Sequence, residues 1–133
     1  MREARAEAER WLAAAREDLE YARHAASGGH HAPACFFGQQ AAEKALKAVH
    51  FRQGARAVIG HNLRALIERL DPRSPAFDAL LDAARELDLF YLPTRYPNGL
   101  EVGTPAQAFS QAQSRRALDL AARFVETAAA ALL

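Results

Sequence analysis

Residues 34–53 read ACFFGQQAAEKALKAVHFRQ, and their periodicity decides the fold. At ~100° per residue, Cys35, Ala42, Leu46 and Val49 share one side of a helix. Phe37, Ala41, Ala45, Ala48 and Phe51 cover much of the opposite side. Between them runs a polar seam of Gln39, Glu43, Lys47 and His50, with Gln40 and Lys44 beside it. A helix apolar on two sides needs neighbours on both, which places this one at the centre of a helical bundle. Its many alanines let those neighbours approach closely. Buried amides and charges are costly unless satisfied, so the seam either pairs internally or lines a site.

Composition agrees with an all-α class. The 133 residues are enough for one domain with its own core, read as spanning residues 1–133. Half the chain is hydrophobic and a quarter charged, as in globular proteins, and Ala, Leu, Glu and Arg dominate over β-branched runs. The single cysteine, Cys35, excludes an internal disulfide and stands where a small core residue belongs. Met1-Arg2-Glu3 opens a charged helix, not a leader peptide, and no apolar run approaches ~18 residues, so a cytoplasmic protein without membrane contact is expected. A net charge of +1 gives no global footprint for nucleic acid, though a local basic patch stays open.

Outward from the central helix, residues 4–26 carry an apolar stripe of Ala8, Trp11, Leu12, Ala15, Leu19 and Ala22. Trp11 and Leu46 are expected to be buried. Ser27-Gly28-Gly29 ends this first helix, and Pro33 is tolerable in the first turn of the next. After a connector over 55–60, Leu63, Leu66, Ile67 and Leu70 form one face of a short helix. Asp71–Pro75 is a turn, with Ser74 as N-cap and Pro75 at the first helical position. A helix over 76–90 follows, with Phe77, Leu80, Leu81, Ala84 and Leu87 inward. Thr94–Gly103 is the longest irregular stretch, and Thr104-Pro105 starts a last helix striped by Phe109, Leu120, Ala121, Phe124, Val125 and Ala128. The expected architecture is an up-and-down bundle of four long helices plus one short one.

Few places carry chemistry. The glycine pairs lack the strand context of a phosphate loop. His24, His30 and His31 have no carboxylate or cysteine at ligand spacing, so neither a metal site nor a cofactor is expected. Two regions remain. One is the seam of Gln39, Glu43, Lys44 and Lys47. The other is Tyr91-Leu92-Pro93-Thr94-Arg95-Tyr96-Pro97, where paired prolines stiffen a loop bearing an arginine and two aromatics. Economy of charge predicts that the two meet, with Arg95 reaching Glu43 beside Lys44 or Lys47. In that arrangement Arg95 either braces the loop or presents a face to phosphate.

The blocks CFFGQQAAEKALKAV, GHNLRAL and YLPTRYP, preceded by Trp11…Asp18-Leu19…Ala22, resemble the HEPN domain (higher eukaryotes and prokaryotes nucleotide-binding) over nearly the whole chain. The resemblance implies a bundle of four or five helices, commonly a homodimer, often encoded beside a minimal nucleotidyltransferase. In several branches of that family the protein is a metal-independent ribonuclease toxin, with an arginine four to six residues before a histidine at a dimer cleft. The arginine there would hold the scissile phosphate while the histidine serves acid–base transfer. Arg95 matches the arginine, but no histidine follows it: Leu100 stands at the four-residue gap. Arg56 and His61 satisfy the bare spacing from a different connector, a match read as coincidental, with His61 taken to cap or orient the short helix.

The leading expectation is therefore a homodimeric HEPN-like module that partners a small nucleotidyltransferase, with nucleotide or RNA as candidate ligand. Gln39, Glu43, Lys44, Lys47, Arg95 and Tyr96 line its site. An RNA-cleaving toxin with a degenerate motif, using Arg95 and His61, is the alternative, and a purely structural dimerisation module is the third. The missing histidine argues against an enzyme.

Overall fold

The computed structural model describes residues 2–133; Met1, read above as part of a charged helix start, lies outside the described residues. The chain is all-α, and no strand occurs among the described residues. Its helices are α1 (Arg2–Ser27), α2 (His31–Arg52), α3 (Leu63–Glu68), α4 (Pro75–Asp78), α5 (Leu81–Asp88), α6 (Pro105–Ala108) and α7 (Gln111–Ala131). A 3-10 turn over Pro97–Gly99 interrupts the loop between α5 and α6. The four longer helices are α1, α2, α5 and α7.

The central position of α2 follows from its two apolar sides. It packs along α1 on one side and α7 on another, with α3 and α5 beyond. Fourteen of its residues are buried, Leu46 and Cys35 completely. Gly38 explains how close α7 comes: a β-carbon there would lie 3.4 Å from the Ala117 carbonyl oxygen and 3.5 Å from its β-carbon. The α1 stripe of Ala8, Leu12, Ala15, Leu19 and Ala22 is buried as its spacing predicts. Trp11 is only half-buried. Its ring stacks on Phe51 at 5.2 Å, and its Nε1 donates to Glu7 at 3.0 Å. That polar edge keeps the ring at the rim of the core.

Helix ends follow the chain chemistry. Gly29, at φ +80°, closes α1 with the His30 amide on the Ala25 carbonyl (2.8 Å). Gly54, at φ +100°, repeats the pattern after α2, where the Ala55 amide meets the His50 carbonyl (3.1 Å). Both are six-to-one closures that need a left-handed residue, which glycine adopts without strain.

Two of the expected helices are each divided. Residues 76–90 break after α4, where Ala79 and Leu80 keep right-handed angles but Leu80 (φ −95°, ψ −1°) opens the turn. The last helix restarts at Ser110 and not at Thr104. Thr104 with Gln107, and Ser110 with Gln113, form successive capping boxes, so the chain makes one helical turn and begins again. Between them Phe109 is extended (φ −113°, ψ 132°), and its ring meets Phe90 edge-on at 5.8 Å.

Candidate functional site

The polar seam is internally paired. Lys47 Nζ lies 3.1 Å from Glu43 Oε2, both side chains nearly inaccessible, and 5.8 Å from the Trp11 ring centre. Lys44 reaches away to α1, where Asp18 Oδ2 receives it at 2.7 Å. Gln39 donates its amide to the His61 carbonyl at 2.9 Å and accepts from Gln40 at 2.8 Å. Gln40 also approaches Glu43 Oε1 at 3.3 Å. Among the described residues no buried side-chain nitrogen or oxygen lacks a partner. Of the two readings left open for the seam, internal pairing describes Gln39, Lys44 and Lys47.

Glu43 does more than close the seam. Its Oε1 accepts from His61 Nδ1 at 3.0 Å. A carboxylate oxygen accepts only, so a ring proton sits on Nδ1 and Nε2 is the nitrogen that this contact leaves free. The His61 side chain is half-exposed, in contrast to the buried carboxylate that orients it. It does not cap α3, as the sequence suggested. Asn62 caps that helix by accepting from the Ala65 amide at 2.8 Å. Asp88 adds a carboxylate at the same helix start, taking the amides of Leu63 (2.6 Å) and Arg64 (3.2 Å). Burial pushes the Asp88 carboxyl above its usual range, and these two amides oppose the shift.

The His61 ring lies nearly parallel to Tyr91, 4.7 Å between centres. Tyr91 also carries Arg95: the guanidinium carbon is 4.6 Å from the Tyr91 ring centre, 4.5 Å from Phe36 and 5.0 Å from Tyr96. Arg95 Nε donates to the Tyr91 carbonyl at 3.0 Å. Thr94, buried, donates its hydroxyl to the Phe90 carbonyl and holds the same turn. Proline at 93 and 97 and the 3-10 turn fix the backbone on either side of Arg95.

The expected Arg95–Glu43 fork is not formed. The carboxylate is already occupied by Lys47, His61 and Gln40, and Arg95 is held instead by three rings and one carbonyl. Among the described residues Arg95 has no carboxylate partner. The two regions singled out in the sequence nonetheless meet through His61, which touches Glu43 with its nitrogen and Tyr91 with its face. Arg56, the spacing partner of His61, lines a different groove together with Glu3, Glu7, Trp11 and Phe51. Phe36 and Asp18 were not recognised as partners of the site residues. The double aromatic Phe36-Phe37 was the available signal for the first, and nothing in the sequence marks Asp18 as buried.

Elsewhere, His31 Nδ1 contacts Ser114 Oγ at 2.8 Å and ties the start of α2 to α7. His50 Nε2 donates to the Leu66 carbonyl at 2.8 Å, and burial holds its pKa below the ordinary value. Burial pushes the Cys35 thiol up to about 12, so it is an inert core group. Among the described residues no group of three His, Cys, Asp or Glu side chains is placed to hold a metal ion, and no helix is long and apolar enough to cross a membrane.

A helical bundle that presents an aromatic-clamped arginine beside an oriented histidine matches the HEPN domain over residues 8–131. The chain belongs to the HEPN domain family. Among solved structures it is similar to TT1696 from Thermus thermophilus, with 36% identity, a TM-score of 0.87, and 93% of this chain and 97% of that one covered. ST0689, described as an archaeal HEPN homologue, is 32% identical with a TM-score of 0.78, over 95% of this chain and 98% of that one. A HEPN domain protein from Thermotoga maritima, tm0613, is 33% identical with a TM-score of 0.70, over 91% and 95%. No curated protein matches the chain.

Proposed function

We propose that this HEPN domain homodimerises, binds the phosphate of a nucleotide or RNA through Arg95, and serves as the partner of a minimal nucleotidyltransferase. The carrying observation is the state of Arg95: a guanidinium held flat by Phe36, Tyr91 and Tyr96 and neutralised by no carboxylate among the described residues. Ring contacts leave its planar donors pre-organised at little further entropic cost, which suits bidentate phosphate recognition. Tyr96, about half-exposed, offers a face on which a base can stack. The nucleotidyltransferase partner rests on the family likeness, not on the site. Binding of a short single-stranded oligoribonucleotide, titrated at several salt concentrations, tests the ligand. Wild type should bind with a salt-dependent affinity and Arg95→Ala should lose it. Co-elution of the purified chain with the nucleotidyltransferase of its own genome tests the partner; separate elution would remove that part of the reading.

A second reading, RNA cleavage without metal, is favoured by one observation: Glu43 holds His61 through Nδ1, next to the ring that carries Arg95. A base held by a carboxylate beside a phosphate-binding cation is the arrangement that 2′-hydroxyl activation requires. Cleavage in the presence of a chelator, lost in His61→Ala and kept in Arg56→Ala, would establish it. No cleavage by wild-type protein would leave binding alone.

A further inference from the structure

The connector that carries His61 also carries Arg56, and Arg56 lines a separate cleft of about 870 Å³. That volume lies within the range of small-molecule sites, about 300–1,000 Å³. Glu3 and Glu7 line it from α1, Arg56 lines it from the connector, and the stacked rings of Trp11 and Phe51 supply apolar surface. Glu3 and Arg56 are exposed, and among the described residues neither has an ion-pair partner. Glu7 has one cation, the exposed Arg10 at 2.9 Å, a surface contact of small worth. Its other oxygen accepts from Trp11 Nε1 at 3.0 Å.

These charges define what fits. A phosphate would meet two carboxylates, and a simple amine would leave Arg56 unanswered. A ligand with a cation at one end and a carboxylate at the other answers both. Because α1 and the connector are separate elements, its two charges stand apart along a flexible stem. A guanidinium binds a carboxylate through paired N–H donors and packs flat on an indole. The basic amino acids, arginine first among them, have this form.

A chain of neighbouring side chains joins the cleft to His61. The Trp11 ring centre lies 5.8 Å from Lys47 Nζ, Lys47 lies 3.1 Å from Glu43, and Glu43 lies 3.0 Å from His61 Nδ1. His61 in turn stacks on Tyr91, which carries Arg95. Lys47 and Glu43 are both enclosed, so a shift of the Trp11 ring acts on a pair that cannot relax into solvent.

We infer that this cleft is an effector site for a ligand of the basic amino-acid class, and that its occupancy reaches His61 through Trp11, Lys47 and Glu43. Neither the cleft nor the route depends on RNA binding; their regulatory meaning rests on the Arg95 reading proposed above.

Trp11 is the sole tryptophan, so its fluorescence reports the cleft. L-arginine added to the full chain should change that fluorescence saturably, with calorimetry giving the same affinity. Glu3→Gln and Arg56→Ala should each weaken binding at least about fivefold with circular dichroism unchanged, and agmatine, which lacks the carboxylate, should bind wild type as weakly. In NMR spectra the His61 imidazole resonances, assigned by their loss in His61→Ala, should move as L-arginine saturates. In the double variant Glu43→Leu/Lys47→Met, L-arginine should still bind and His61 should not respond. No binding by either method up to about 10 mM would overturn the site. Binding indifferent to both single substitutions would overturn its placement. Adenosine monophosphate displacing L-arginine at lower concentration would overturn the ligand class. An unmoved His61 would overturn the coupling, and a response that persists in the double variant would overturn its route. Failure of wild type to bind the oligoribonucleotide, with L-arginine binding and the His61 response intact, would overturn the Arg95 reading and uphold the cleft.

Discussion

Glu43 and Lys47 form an ion pair one helical turn apart, 3.1 Å between Oε2 and Nζ, with neither side chain open to water. Such a pair stabilises little relative to apolar residues, but stranding one member is costly. Lys47→Ala should therefore cost roughly 3–5 kcal/mol, because the carboxylate is left buried beside a half-exposed histidine. Replacing both residues by Leu and Met should cost far less than either single change, read by urea denaturation. Equal losses in the single and double variants would contradict the pairing.

Glycine at 38 faces α7 at ordinary van der Waals distance, 3.4–3.5 Å from Ala117 for an added β-carbon. Gly38→Ala should fit without displacement and raise stability by up to about 1 kcal/mol through helix propensity. A branched residue such as valine has no room and should destabilise. Melting temperatures of the two variants should move in opposite directions.

His50 gives a pH dependence of definite sign. Burial lowers its folded-state pKa below 6.5, against the opposing pull of the Leu66 carbonyl. Between the folded value and 6.5 the unfolded chain binds more protons than the native one, so stability falls as pH falls through that window. His50→Gln retains a donor for the carbonyl and removes the titration. Thermal melts from neutral pH downward should be steeper in wild type than in this variant just below pH 6.5.

Arg95→Lys separates bracing from binding. Lysine keeps the charge but loses the flat face that three rings hold, and the Nε bond to Tyr91 with it. Because these contacts are partly open to solvent, stability should drop by no more than about 1–2 kcal/mol. Oligoribonucleotide binding should weaken while keeping much of its salt slope, and Arg95→Ala should flatten that slope. A large fall in melting temperature with unaltered binding would make Arg95 a brace only.

Cys35 should resist labelling by a thiol reagent near pH 8 in the native protein and react fully on unfolding, since its thiol is buried and held at about 12. Native-state labelling as fast as a free thiol would contradict its place in the core.

Much of the bundle was legible because burial and periodicity coincide. Leu63, Leu66, Ile67 and Leu70 are all buried at the spacing that predicts it, as is the α1 stripe apart from Trp11. The helix breaks were less legible. Ser110 and Gln113 carry a capping signature three residues apart, but Thr104-Pro105 offers an equally good helix start six residues earlier and concealed it. The site was legible as residues, not as pairings. Glu43 and Arg95 were both marked, yet charge alone joined them directly, whereas in the structure His61 and Tyr91 stand between. Partners that come from other helices, such as Asp18 for Lys44 and Asp88 for the start of α3, follow no local rule.

The Lys44–Asp18 contact has a consequence for how α1 and α2 stay aligned. Surfaces made largely of alanine are smooth, and two such helices can slide past each other by a turn, about 5.4 Å, with little change in apolar burial. Asp18 is almost fully enclosed, and its 2.7 Å contact with Lys44 survives at one offset only. Any slip leaves a carboxylate sealed in the bundle without its cation. The pair thus acts as a bolt on the longest helical hairpin of the chain, holding in place by the penalty of its absence what alanine packing by itself leaves free to creep.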